Sequence, residues 1–152
     1  MRNRHLFDFA LYSAGRGRLT FDLVGGDKAR FDATPYASLQ TDIDAFAVAE
    51  EAFAFVEHAI ARAWPEWSKG YHWGICSLSE ETWLTVFENL HGFRFDILCG
   101  LHPRLFKGKY GTDPIGKRKR LNRKALLIFL DGFEERIRDL LSRHSQVTIA
   151  GI

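Results

Sequence analysis

The hydrophobic period changes partway along the chain, and that change limits the folds open to it. Through the first forty residues apolar side chains alternate with polar ones, the period of a half-buried strand. From Phe46 to Ile60, and again in later segments, they recur every three or four residues, the period of a helix packed on one face. A chain of 152 residues that uses both periods is expected to form a single α+β domain over 1–152, one core being enough at this length.

The early strands are delimited by glycine. In His5 to Tyr12, Leu6, Asp8, Ala10 and Tyr12 alternate with Phe7, Phe9 and Leu11, and Gly15-Arg16-Gly17 follows as a flexible connection. Arg18 to Val24 alternates again, and Gly25-Gly26-Asp27 reads as a hairpin turn into a third strand over Ala29 to Ala33. A three-stranded N-terminal meander is the expectation.

Helical signals take over next. Thr41 and Asp44 resemble a capping box, and Phe46, Ala49, Phe53, Val56 and Ile60 keep helical spacing until Trp64-Pro65, which predicts a helix over 42–63. A strand is expected over 71–78. Ser79 then caps a helix carrying Trp83, Leu84, Phe87 and Leu90, with Gly92 as its C-terminal stop. Phe93, Phe95 and Ile97 alternate with Arg94, Asp96 and Leu98, predicting a strand that ends at Gly100 to Pro103. A third helix runs from a cap at Asn122 to about Arg143, unless Asp131-Gly132 splits it into a buried strand and a shorter helix; Val147 to Ala150 returns as the last strand. The expected architecture is a two-layer α+β fold, a mainly antiparallel sheet covered by about three helices.

Composition excludes several classes. Hydrophobic residues at 46% against 26% charged lie in the globular range, so the fold forms without a partner. Two cysteines cannot staple a secreted scaffold, and Met1 is followed by Arg-Asn-Arg-His in place of an apolar leader, which makes a cytoplasmic location the expectation. The most apolar stretch, Ala45 to Ala63, is interrupted by Glu50, Glu51, Glu57, His58 and Arg62, so no membrane association is expected.

Charge is distributed unevenly. Residues 104–124 carry nine Lys or Arg against a single Asp, a net +8, while the remainder of the chain is −6. The cations are Arg104, Lys107, Lys109, Lys117, Arg118, Lys119, Arg120, Arg123 and Lys124, with Tyr110 between the two clusters. Gly108, Gly111, Pro114 and Gly116 deny this stretch any apolar period, so it reads as a long basic loop. Such a loop concentrates anions, neutralises phosphates with release of counterions, and offers Tyr110 as a stacking face for a base. An acidic protein surface satisfies the same Coulombic demand.

Other residue sets carry weaker signals. His72 and Cys76 with Cys99 and His102 supply two sulfur and two nitrogen donors, a zinc-like set. Four positions along a strand hold His72 and Cys76 about 13 Å apart, which defeats joint ligation, so no metal or other cofactor is expected. His91 and His102 bracket the strand expected at 93–98 and adjoin the basic loop, the minimum for metal-independent RNA cleavage, although six histidines in this length will often bracket some strand. Asp42, Asp44, Glu50, Glu51 and Glu57 on the first helix would suit an inhibitor that imitates phosphates. The leading expectation is a non-enzymatic protein that binds nucleic acid or another polyanion through 104–124. A protein-binding inhibitor or immunity-type partner stands second, and a small ribonuclease third.

Overall fold

Six consecutive buried residues, Thr20–Gly25, form β2, the central strand of a five-stranded antiparallel sheet ordered β1-β3-β2-β5-β4. The computed structural model describes residues 6–16, 19–69, 74–100 and 121–151. The other strands are β1 (Leu11–Tyr12), β3 (Ala45–Ala49), β4 (Ile75–Ser79) and β5 (Gln146–Gly151). β5, the last strand in the chain, inserts between β2 and β4, with Leu23 opposite Ile149 and Cys76 opposite Ile149 on its two sides.

The pleat divides these strands between two environments. Phe21, Leu23, Phe46, Val48, Cys76, Leu78, Val147 and Ile149 share one core with three long helices, α2 (Glu50–Ala63), α3 (Glu80–Leu98) and α4 (Arg123–Leu141). Aromatic rings fill it: Phe21 stacks on Phe53 with centroids 4.0 Å apart, and Trp83 reaches both Phe87 and Phe133 at 6.3 Å. Alternate positions, Asp22, Val24, Ala45, Ala47, Thr148 and Ala150, are small or polar and also buried. Val24 and Ala45 meet Ala14 and Leu39, the latter from a 3-10 turn at Tyr36–Thr41.

The α+β class and antiparallel sheet agree with the sequence, but the meander does not form. Lys28–Ala33 is a short helix, α1, because Asp27 accepts the Arg30 N–H at 2.9 Å and caps it. Its partner role passes to β3, which pairs with both β1 and β2. The helix expected over 42–63 therefore begins only at Glu50. Ala45–Val48 are buried on both faces, and a short apolar run cannot be assigned to strand or helix from period alone. The strand expected at 93–98 is the last part of α3. Phe93 and Ile97, one turn apart, are buried while Phe95 is exposed, the pattern of a helix. The stop is Gly100, at φ +84°, and Gly92 lies inside the helix. α4 runs unbroken through Asp131-Gly132, opened by Asn122, whose side-chain oxygen accepts the Ala125 N–H at 3.1 Å.

Candidate nucleic-acid interface

α3 and α4 run antiparallel, and their polar pairs mark the seam between them. His91 Nε2 lies 2.5 Å from Glu134 Oε1, and Arg94 lies 2.7 Å from Asp131 Oδ1. Both pairs join a residue progressing along α3 to one receding along α4, so the end of α3 and the start of α4 lie at the same end of the pair. The chain leaves the described residues at Gly100, before the basic stretch, and re-enters at Leu121, within it. Arg104, Lys107, Lys109, Tyr110, Lys117, Arg118, Lys119 and Arg120 lie outside the described residues. Arg123 and Lys124 are described: both are exposed in the first turn of α4 and make no ion pair among the described residues.

Cations at that position are electrostatically unfavourable for the helix. Unsatisfied N–H groups give a helix N-terminus partial positive charge, which carboxylates offset and cations aggravate. α2 opens with Glu50 and Glu51, and α3 with Glu80 and Glu81. α4 has no acidic residue in its first turn and begins with two cations. Helix stability does not explain Arg123 and Lys124; an anion at that end would be favoured by the helix dipole and both side chains together.

Comparison with known protein families, curated proteins and solved structures finds no match.

The other candidates separate in space. Cys76 is buried on β4, where burial pushes its thiol up to about 12. Cys99 is exposed at the C-cap of α3, where the sequence predicts the end of a strand. His72 and His102 lie outside the described residues, and no group of three metal-binding side chains occurs among the described ones. His91 no longer brackets a strand, since 80–98 is one helix, and its ring is committed to Glu134.

The acidic set on the expected first helix is not one face. Glu57 is buried and accepts the Trp67 indole N–H at 3.1 Å. Glu51 accepts the Asp8 backbone N–H at 2.9 Å, and Asp42 lies 3.7 Å from Arg30. Asp44 bonds His144 Nε2 at 2.9 Å and Arg143 at 2.6 Å, contacts that hold its carboxyl below the usual carboxylate range; Arg143 also grips Asp139 at 2.8 and 2.9 Å. This network ties the entry of β3 to the end of α4.

Two buried titratable groups escaped sequence reading because nothing local distinguishes them. Asp22 accepts the Gly15 N–H at 3.3 Å through Oδ1, Oδ2 has no partner among the described residues, and burial raises its pKa to about 6. His58 packs edge-on against Phe93 at 4.7 Å; burial, assisted by Arg62, lowers its pKa to about 4.

Proposed function

We propose that this protein is a non-enzymatic binder of nucleic acid, held through the basic stretch 104–124. The observation that carries the reading is the concentration of nine cations in that stretch, the last two of which, Arg123 and Lys124, stand at a helix start where cations are unfavourable. Lys and Arg at this density neutralise several phosphates at once, and release of condensed counterions supplies the driving force without reading sequence. The inhibitor reading loses support, since Asp42, Asp44, Glu51 and Glu57 are engaged within the fold. The ribonuclease reading loses the strand that was to separate His91 from His102.

The test is salt-dependent binding by the intact chain and by a variant with Lys117, Arg118, Lys119 and Arg120 replaced by Ala. Wild type should retard RNA or DNA at about 50 mM salt, and the variant should bind every sequence more weakly, with a log–log salt slope shallower by up to about 3.6 on duplex DNA. Thermal stability should change by no more than about 0.5 kcal/mol. Absence of retardation by wild type at that salt refutes the reading and moves the acidic protein partner to first place.

A further inference from the structure

The α3/α4 seam changes character toward the basic stretch. Along α3 its positions are His91, Arg94 with Phe95, and Leu98; along α4 they are Glu134, Asp131, Leu127 and Lys124, three or four residues apart. The first two rungs are the hydrogen-bonded pair His91–Glu134 and the ion pair Arg94–Asp131. Continuing the same spacing, the third rung is Leu98 with Leu127, which is partly buried against the core. Leu98 is 68% exposed and Phe95, one turn before it on α3, is 66% exposed, while Ile128, next to Leu127 and turned further outward, is 63% exposed. Lys124 lies one turn beyond Ile128, with Arg123 next to it, both in solvent. Asp96 lies on the neighbouring stripe of α3, off the seam.

Three large apolar side chains left in water at one end of a helix pair, bordered by cations, form a surface suited to a ligand with apolar faces and negative charge. Single-stranded nucleic acid has that combination: its bases offer free π-faces, which a duplex keeps stacked on one another, and its phosphates follow at short intervals. Phosphate binding alone would require Arg123 and Lys124 but give Phe95 no task. We propose that Phe95, with Leu98 beside it, is a base-stacking platform for single-stranded RNA or DNA whose phosphates lie against Arg123 and Lys124. This rests on the nucleic-acid reading above and narrows it to single strands.

Binding of a labelled single strand of about 15 nucleotides, and of a duplex of the same sequence, tests it through anisotropy with the full-length chain. Phe95→Ala should weaken single-strand binding about 5- to 100-fold and change duplex binding by no more than about twofold. Phe95→Trp should keep single-strand affinity, whereas Phe95→Leu, apolar but without a π-face, should fall with Phe95→Ala. An unchanged melting temperature for each variant confirms that the fold is intact, as expected at an exposed position. If wild type binds single strands and Phe95→Ala binds them equally well, the platform is refuted while the nucleic-acid reading stands. If wild type binds neither strand form at about 50 mM salt, that reading fails and the platform with it. If Phe95→Ala abolishes self-association and leaves single-strand affinity unaltered, the patch is an interface between copies and the proposal is overturned.

Discussion

Phe87 and Cys99 belong to the same helix, the latter as its cap, and they sit in opposite media. The Phe87 ring is buried, 6.3 Å from Trp83, with the Arg138 guanidinium 4.5 Å above its face. Phe87→Ala removes this ring from between α3 and α4 and should cost about 3 to 5 kcal/mol in denaturant unfolding, since the surrounding helices can collapse only in part. Cys99 is the accessible thiol among the two, so native protein should react with one equivalent of a thiol reagent and Cys99→Ser with none until unfolded. Reaction of two equivalents in the native state would place Cys76 wrongly. At this scale sequence reading succeeds where a residue's environment follows from its position in a period, as for Trp83 and Phe87. It fails for contacts that only the fold creates: Asp44 and His144 are 100 positions apart, and nothing near either announces the other. The cations of 104–124 were visible because their density is a property of the sequence itself.

The end of α3 shows how an element can be recognised by the right signal at the wrong place. A glycine does terminate this helix through a left-handed residue, but Gly100 does so, not Gly92. The intervening alternation of Phe93, Phe95 and Ile97 imitates a strand because six residues are too few to separate a period of two from one of 3.6. The same ambiguity hid β3 inside the expected helix and turned Lys28–Ala33 into an expected strand, whereas α4, with five helical turns of consistent spacing and a cap at Asn122, was read within two residues. Paired glycine variants check the assignment. Gly92 sits in a helix with open space where a Cβ would go, so Gly92→Ala should stabilise the protein by about 0.5 to 1 kcal/mol. Gly100 also has open space but a φ of +84°, so Gly100→Ala should destabilise by about 1 kcal/mol from backbone strain alone. Equal effects in thermal melts would mean that the helix does stop near Gly92.

Net charge is split unevenly along the sequence of the whole molecule, and inside the fold two ionisable groups oppose each other. Asp22 is raised from 3.8 to about 6, so between these values the native state keeps a proton that the unfolded chain has released, and stability falls as pH rises through that window. His58 is lowered from 6.5 to about 4, so across that window the unfolded chain takes up a proton that the native state refuses, and stability rises with pH. Each displacement is worth about 3 kcal/mol. From about pH 4 to 6 the two proton counts cancel, and these groups together leave stability nearly level. Below that range Asp44, held low by His144 and Arg143, adds a loss of stability as pH falls through its native pKa. Single variants should uncover the hidden slopes. Asp22→Asn leaves His58 alone, and its unfolding free energy should climb by about 1.4 kcal/mol per pH unit from 4 to 6. His58→Phe leaves Asp22 alone, and its stability should decline at a similar rate over the same range, then level off above pH 6. Urea unfolding at half-unit pH intervals reads the slopes directly, independent of each substitution's own offset. Parallel profiles for wild type and both variants would show that Asp22 and His58 titrate alike in the folded and unfolded chain, and that neither is as deeply enclosed as the fold places it.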